Sequence, residues 1–397
     1  MVTGRGETSV SESGEHRDVG RFVSESPGRA VLRVRNVAKR YPIKRGSFHR
    51  TTGYLRAVDS VSFDVFHGET LGLVGESGCG KTTMGKMIVR ADVPTSGEIL
   101  FRPGSEGPAS ASPDDYSIDV GTARGADLSR LRRGVQMIFQ NPYASLNPRH
   151  RVRDIIGEPL RINGIARGKS LEERVFELMD QVGLRREYGI RYPHAFSGGQ
   201  RQRIGIARAL ALNPRLVVCD EPVSALDVSI QAQILNLLRD LQSQYGLAYI
   251  MISHDLGVVQ HISDRVAVMY LGKLVELGPT AELFARPRHP YTRALLDASP
   301  KPHPRHRLQA TAISGDVPDA SQDIAGCSFR TRCPYAQRIC AEEEPPLLPL
   351  ASTDAASGPT RRFAACHFAM SPPWGEAAGP TGIERAQTMQ RKHIPSL

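Results

Sequence analysis

A glycine-rich octapeptide carries the most specific chemistry in the sequence. It consists of Gly75, Glu76, Ser77, Gly78, Cys79, Gly80, Lys81 and Thr82. It follows the apolar run 70–74 and precedes a helix-like stretch that begins at Thr83. This order of strand, loop and helix is typical of a phosphate-binding loop, in which backbone N–H groups converge on the β-phosphate. Lys81 can reach the β- and γ-phosphate oxygens, and the Thr82 hydroxyl can ligate Mg²⁺.

Two acidic residues, Asp220 and Glu221, end the apolar and β-rich stretch that begins at Leu216. In phosphate-loop enzymes an acid at this place holds Mg²⁺ together with the loop threonine, which assigns Asp220. Glu221 is then left to orient or polarise the attacking water. An isolated pair of acids at a strand end is more often a solvated turn, but the upstream phosphate loop favours the magnesium site.

Two further polar residues leave predicted strands. Gln140 ends the strand 135–139 and can contact Mg²⁺ and the attacking water. His254 follows the strand 247–252, and a neutral imidazole at this edge of an open α/β sheet can donate to the γ-phosphate. Either side chain, taken alone, would more often be structural.

Two helix starts and one aromatic residue complete the candidate site. Ser197 is a good N-cap for a helix that runs to Leu212, and Gly198 and Gly199 leave backbone N–H groups accessible to an anion before Gln200. The segment 224–227, which ends at Asp227, caps a second helix. Tyr41, at the end of the first predicted strand, could stack on adenine or pack in the core.

The intervening chain predicts an α/β fold. Segments 31–37 and 58–66 alternate as two half-buried strands of an antiparallel flap, and 98–101 is a short strand. Residues 102–127 are a turn-rich surface insertion. The stretch 152–182 has one apolar helical face, as a helical subdomain would require. Strands at 265–270 and 273–277 close the sheet.

Composition limits the class of protein. With 397 residues, 40% of them hydrophobic and 23% charged, the chain reads as a soluble globular protein with one large domain and an appendage. It contains no apolar run of the roughly 20 residues that a spanning helix needs, and its first residues lack a signal-peptide centre. The net charge of +10 comes from scattered arginines and indicates a solvated surface, so we expect no nucleic-acid partner.

Four of the six cysteines lie near the C-terminus, at Cys327, Cys333, Cys340 and Cys366. Four thiolates suit either tetrahedral zinc or an iron–sulfur cluster. No pair has the two-residue spacing of zinc ribbons, and neither ferredoxin pattern is present. The spacing favours a small lobe around a metal over unliganded thiols. It does not distinguish zinc from an iron–sulfur cluster.

The motifs, in this order, resemble those of an ATP-binding cassette (ABC) ATPase over roughly 31–300. The segment 197–200 is similar to the family signature, although Phe196 precedes it where leucine is usual. The resemblance implies that two such domains sandwich two ATP molecules, with the phosphate loop of one subunit facing Ser197 of the other. It also implies that Asp227 lies at the composite site and that Tyr41 stacks on adenine.

Segments 139–148, 224–229 and 289–296 narrow the resemblance to ATPase subunits of dipeptide and oligopeptide importers, closest to the F type. This implies a homologous ATPase partner in a heterodimer, two transmembrane permease subunits, an extracytoplasmic substrate-binding protein, and a peripheral place on the cytoplasmic face of the cell (inner) membrane. It also implies a [4Fe-4S] cluster at the four cysteines, with zinc as the alternative.

Nickel importers share this architecture, so a nickel or other small-solute importer is the alternative function. A soluble ABC ATPase of ribosomes or DNA is a third hypothesis, disfavoured because it usually has two cassettes or a long coiled coil.

The expected organisation has four parts. Residues 1–29 form a disordered tail, and 30–285 form the ATPase domain, with a phosphate-loop (RecA-like) core, the antiparallel flap and a helical subdomain at about 141–213. Residues 286–368 form the importer-type extension with its four-cysteine lobe, and 369–397 form a flexible tail.

Overall fold

The computed structural model describes residues 30–45, 50–104, 118–299, 315–319, 321–322, 324–350 and 362–374. The expected N-terminal tail, the centre of the 102–127 insertion and residues 375–397 of the expected C-terminal tail lie outside this part. The strands are β1 Ala30–Arg45, β2 Arg50–Phe66, β3 Thr70–Val74, β4 Ser96–Phe101, β5 Ile118–Asp119, β6 Val135–Ile138, β7 Leu216–Asp220, β8 Ala248–Ile252, β9 Arg265–Tyr270, β10 Lys273–Pro279, β11 Leu348–Leu350 and β12 Arg362–Ala364. The helices are α1 Lys81–Ile88, α2 Gly125–Gly134, α3 Pro142–Ser145, α4 Val152–Ile162, α5 Gly168–Gln181, α6 Gly198–Leu210, α7 Val228–Tyr245, α8 Leu256–Ile262, α9 Thr280–Ala285, α10 Pro290–Ala298 and α11 Arg338–Glu342, with short 3₁₀ turns at Arg186–Ile190 and Pro193–Ala195.

The first sheet is antiparallel, with the strand order β2-β1-β4-β5. Strands β1 and β2 come before the phosphate loop in the sequence, and β4 and β5 come after it. Strand β1 pairs with β2 and β4, and its alternating residues Leu32 and Val34 are fully buried. The antiparallel flap is therefore present. Its first two strands are longer than predicted because they continue as a polar hairpin beyond the buried segment, where the sequence loses its apolar alternation.

A second sheet carries the site, in the order β11-β12-β10-β9-β3-β8-β7-β6. Strands β9, β3, β8, β7 and β6 run parallel. Every residue of β3, β7 and β8 is buried, as expected for a parallel sheet with both faces covered. Strand β6 ends at Ile138, one residue earlier than predicted, and Phe139 is 46% exposed. The α/β phosphate-loop core predicted from the sequence is confirmed.

The helical stretch predicted at 152–182 is two helices, α4 and α5. Gly164 and Gly168 have positive φ values of 67° and 55°, so the chain turns between them and the helices pack face to face. Their apolar sides bury Ile156, Val175 and Leu178 in one cluster with residues of α6. This packing fixes the start of α6, which carries the Ser197 segment.

The C-terminal extension adds to the core sheet. Strand β12 pairs antiparallel with β10 through Glu276 and Leu277, and β11 pairs with β12. Phe329, upstream of these strands, packs against Tyr270 and Tyr291. The cysteine-containing segment therefore shares apolar contacts with the ATPase core. No helix in the described ranges is long and apolar enough to span a membrane.

Candidate nucleotide-binding site

The phosphate loop connects β3 to α1 and requires glycine at two positions. Gly75 has φ of 149°, and a Cβ there would lie 2.2 Å from the Met269 carbonyl oxygen. Gly80 has φ of 104°, and its Cβ would lie 2.1 Å from the Ala57 carbonyl oxygen. Any larger residue would push the loop away from these strands, so both glycines set the loop geometry.

Lys81 is the first residue of α1 and lies inside the loop, with only 6% of its surface exposed. Its Nζ donates to the carbonyl oxygens of Gly75 at 2.7 Å and Glu76 at 2.9 Å. The Cys79 thiol lies 3.6 Å from the same ammonium. Burial raises the pKa of Cys79, so this thiol adds no negative charge to the loop at neutral pH.

Thr82 and Asp220 meet at the carboxyl end of the sheet. The Thr82 hydroxyl donates to the Asp220 carboxylate at 3.2 Å. Burial, with the nearby Glu221 charge, raises the pKa of Asp220, while the Thr82 hydrogen bond opposes this rise. A hydroxyl and a carboxylate oxygen are hard ligands of the kind that Mg²⁺ prefers, so the donor set fits the predicted magnesium site.

The carboxylate of Glu221 joins two residues that the sequence singled out separately. One oxygen accepts from Gln140 Nε2 at 2.6 Å, and the other lies 2.9 Å from His254 Nδ1. Strands β6, β7 and β8 are parallel neighbours, so their carboxyl ends bring these three side chains to one edge. Glu221 also has φ of 47°, a strained conformation that turns its side chain out of the strand direction.

The Tyr41 side chain contacts Thr83 in the first turn of α1 and Asp92 beyond the end of that helix. Its hydroxyl donates to Asp92 at 2.5 Å, and the Lys39 ammonium lies 4.9 Å from its ring centroid. Burial and the neighbouring Asp92 raise the pKa of Tyr41 to about 12, while a hydrogen bond with Thr83 lowers it. The Tyr41 side chain is partly exposed, as a ring that stacks on a nucleotide base would need to be.

Ser197 is the N-cap of α6, as predicted. Ser197 and Gln200 form a reciprocal capping box, and a Cβ at Gly199 would lie 2.5 Å from Ile230. In the described part of the chain, no hydrogen bond joins this segment to the phosphate loop. Asp227 is exposed at the N-cap of α7. Thr82 thus meets Asp220, and Gln140 and His254 meet Glu221, whereas Ser197 and Asp227 lie at exposed helix starts.

The four C-terminal cysteines line one pocket, together with His289, Phe329 and His367. Burial raises the pKa of Cys327, that of Cys333 to about 11 and that of Cys366 to about 12. Among the described residues, however, no group of three or more His, Cys, Asp or Glu side chains could hold a metal ion. The thiols thus share a pocket without forming a single-ion site, and the metal assignment stays a prediction.

Two residues that contact the phosphate loop were not anticipated from the sequence. Tyr291 accepts a hydrogen bond from the Glu76 N–H at 2.8 Å, and Arg332 forms two bonds with the Glu76 carboxylate at 2.7 and 3.0 Å. No local pattern could reveal them, since Arg332 is 256 residues away in sequence. The segment that carries Cys327 and Cys333 therefore contacts the phosphate loop through Arg332.

Comparison with known proteins identifies the class. The ABC transporter family matches residues 58–224, and the oligopeptide/dipeptide transporter C-terminal region matches 275–340. The oligopeptide transport ATP-binding protein AppF of Bacillus subtilis is 47% identical over 341 residues, covering 85% of this chain and 97% of that protein. The chain belongs to the ABC transporter ATP-binding family.

Further relatives agree with this assignment. The di/tripeptide transport ATP-binding protein DppF of Pseudomonas aeruginosa is 46% identical, covering 85% of this chain and 98% of that protein. The dimeric post-hydrolysis structure of the ATP-binding cassette MJ0796, bound to ADP and phosphate, has a TM-score of 0.53 and 27% identity, covering 63% of this chain and 98% of that one. The cbiO1 structure from Clostridium perfringens, at 24% identity and a TM-score of 0.52, covers 65% of this chain and 91% of that one and agrees in fold.

Proposed function

We propose that this chain is the nucleotide-binding subunit that couples MgATP hydrolysis to the import of dipeptides or oligopeptides. The observation that carries the hydrolytic part is the Glu221 carboxylate, which binds Gln140 and His254 beside the Thr82–Asp220 pair. The importer class is supported by the C-terminal region match at 275–340 and by the names of the relatives.

In this proposal the residues of the loop and of the strand ends have distinct roles. The N–H groups of 77–83 cradle the phosphates at the start of α1, and Lys81 exchanges loop carbonyls for phosphate oxygens. Thr82 and Asp220 hold Mg²⁺, which supplies charge neutralisation on the phosphates when bound. Gln140 and His254 hold the Glu221 carboxylate, which would polarise the attacking water, and His254 would donate to the γ-phosphate when ATP is bound. Tyr41 stacks on adenine.

Hydrolysis in this proposal requires a second ATPase subunit, most simply a homologous partner in a heterodimer. The support is the exposure of Ser197 and Asp227 at helix starts and of Val228, which is 81% exposed beside Asp227. The N-terminus of α6 can bind an anion through Ser197, Gly198, Gly199 and Gln200 when a partner brings one. Residues 30–285 then act as the ATPase domain, with the helical subdomain at about 141–213.

The remaining partners follow from the importer class. Two permease subunits would bind the cassette on the cytoplasmic face of the inner membrane, and an extracytoplasmic binding protein would deliver the solute. Purification of the tagged chain from its own cells tests this. Co-purifying membrane permeases support the proposal, whereas ribosomes or DNA would support a soluble ABC ATPase.

A growth experiment tests the solute. A deletion strain should lose growth on defined di- and oligopeptides as sole amino-acid source and regain it with the wild-type gene. Unchanged growth on peptides together with lost nickel uptake would assign the chain to a nickel importer instead.

We also propose that Cys327, Cys333, Cys340 and Cys366 hold a [4Fe-4S] cluster within the 286–368 extension. The support is that the four thiols line one pocket and that a set of four cysteines is the usual donor set of such a cluster. Anaerobic purification with visible absorption and metal analysis tests it. If the purified protein is colourless and contains one zinc ion per chain, the four cysteines hold zinc and the cluster proposal is wrong.

A further inference from the structure

The second residue of the phosphate loop is an acid, Glu76, in a loop that binds a polyanion. An unpaired carboxylate at this position would repel ATP. In the structure Glu76 is paired, since Arg332 Nη1 and Nη2 donate to its two carboxylate oxygens at 2.7 and 3.0 Å. This two-bond geometry neutralises the charge and fixes the direction of the side chain.

Arg332 is held in place by the core of the molecule. Its side chain is 6% exposed, while that of Glu76 is 26% exposed. The guanidinium lies 5.8 Å from the ring centroid of Tyr270, a residue of β9. Because it is nearly desolvated and cannot lose its charge, Arg332 depends on Glu76 for its counter-charge. The pair is therefore half-buried, with its arginine inside the molecule, and differs from the surface ion pairs of the same segment, such as Arg338–Glu342.

The main chain of Glu76 is held from the same side. Its N–H donates to the hydroxyl of Tyr291 at 2.8 Å, and Tyr291 is completely buried. The Tyr291 ring lies 5.5 Å from that of Phe329, which is three residues before Arg332. Two segments of the C-terminal extension thus hold both the backbone and the side chain of one loop residue.

We infer that Arg332 is a positioning residue for nucleotide binding, which neutralises the Glu76 carboxylate so that it does not repel the phosphates, while Tyr291 holds the backbone of the same loop residue. The inference rests on the proposed ATP-binding function and deepens it, because it makes the affinity for ATP depend on the C-terminal extension. Arg332 acts through Glu76 and does not need to contact the phosphates.

The test measures ATP binding by calorimetry on the full-length chain. We expect Arg332→Ala to bind ATP about tenfold more weakly, the size expected for losing a charge-assisted pair. The decisive variant is the double mutant Arg332→Ala/Glu76→Gln, which removes the unpaired carboxylate. It should bind ATP within about threefold of wild type. The matched control is Arg338→Ala, an exposed arginine of the same segment, which should bind as wild type does.

Steady-state kinetics of the chain assembled with its partner ATPase separate positioning from catalysis. Arg332→Ala should raise the KM for ATP about tenfold and keep kcat within about twofold of wild type, because Glu221 and its partners are untouched. Arg332→Lys keeps the positive charge but cannot form both hydrogen bonds to the carboxylate. Its KM for ATP should therefore lie between those of wild type and Arg332→Ala. Should Arg332→Ala fail to fold, the double mutant and Arg332→Lys still carry the comparison.

Two results would overturn the inference. The first is that Arg332→Ala binds ATP with wild-type affinity. The second is that Arg332→Ala binds ATP weakly and the added Glu76→Gln substitution does not restore the affinity. That second result would indicate that Arg332 contacts the phosphates directly or that its loss disrupts the fold. A wild-type chain that binds no ATP would instead overturn the proposed function and the inference with it.

Discussion

At the scale of single residues, the site depends on one carboxylate with two partners. Glu221 adopts a positive φ of 47°, and its N–H is tied to the Ile252 carbonyl at 2.9 Å. The strained backbone directs the carboxylate to Gln140 and His254. Backbone strain maintained by neighbouring strands is a common feature of functional sites.

Replacement of Glu221 with glutamine should separate binding from hydrolysis. The amide keeps the size of the side chain but cannot act as a base, so we expect ATP binding to persist and turnover to fall by at least about 100-fold. Phosphate release and ATP retention measure the two effects, with Glu172→Gln, an exposed residue of α5, as the control. Turnover close to wild type would exclude Glu221 from catalysis.

A buried histidine makes stability depend on pH. His289 is 1% exposed and caps α10 by accepting the Tyr291 N–H, and burial lowers its pKa to about 3. Below the ordinary pKa of about 6.5 the unfolded chain binds a proton that the folded chain does not, so stability falls as pH falls.

We therefore expect His289 to account for a loss of about 2 kcal/mol of unfolding free energy between pH 7 and pH 5. His289→Asn keeps a capping oxygen and should flatten this part of the profile, whereas His261→Asn, at an exposed position, should not. Denaturant unfolding at the two pH values measures it. Parallel profiles for wild type and His289→Asn would contradict a neutral buried histidine.

At the scale of elements, the N-terminus of α6 is built as a capping box. Ser197 Oγ accepts the Gln200 N–H, and the Gln200 side chain accepts the Ser197 N–H. The cap satisfies two N–H groups that the first turn would otherwise leave without partners.

Loss of this cap should weaken the helix by a known amount. Ser197→Ala should destabilise the protein by about 1 kcal/mol, and Ser197→Asn should retain most of the stability because asparagine caps equally well. Urea unfolding of the two variants measures the difference, and Ser243→Ala, an exposed serine within α7, serves as the control. Equal stability of the alanine and asparagine variants would show that the cap contributes nothing.

At the scale of the whole molecule, a buried ion pair joins the extension to the ATPase core. Arg362 of β12 donates to Glu276 of β10 at 2.7 Å, and the Glu276 side chain has no exposed surface. The same carboxylate accepts the N–H groups of Arg288 and His289 at 2.9 and 3.0 Å. One acid thus binds β10, β12 and the start of α10.

Removal of one partner should have a large effect. Arg362→Ala leaves a buried carboxylate without its counter-charge and should lower the unfolding free energy by about 3–5 kcal/mol. The control Arg185→Ala breaks an exposed pair with Glu187 and should cost less than about 1 kcal/mol. Thermal unfolding compares them, and equal small losses would argue against a structural role for the pair.

The sequence alone determined the phosphate loop, the strand-end acids and the capped helix, because each depends on neighbouring residues and on local periodicity. It also indicated the α/β core, since the segments 70–74, 216–219 and 247–252 are largely apolar runs. Only the tertiary structure decided how distant segments meet. The bond between Arg332 and Glu76 spans 256 residues, and β12 joins the core sheet beside β10. No local pattern encodes such contacts, because they arise from the packing of whole elements, which brings the C-terminal extension against the phosphate-loop motif.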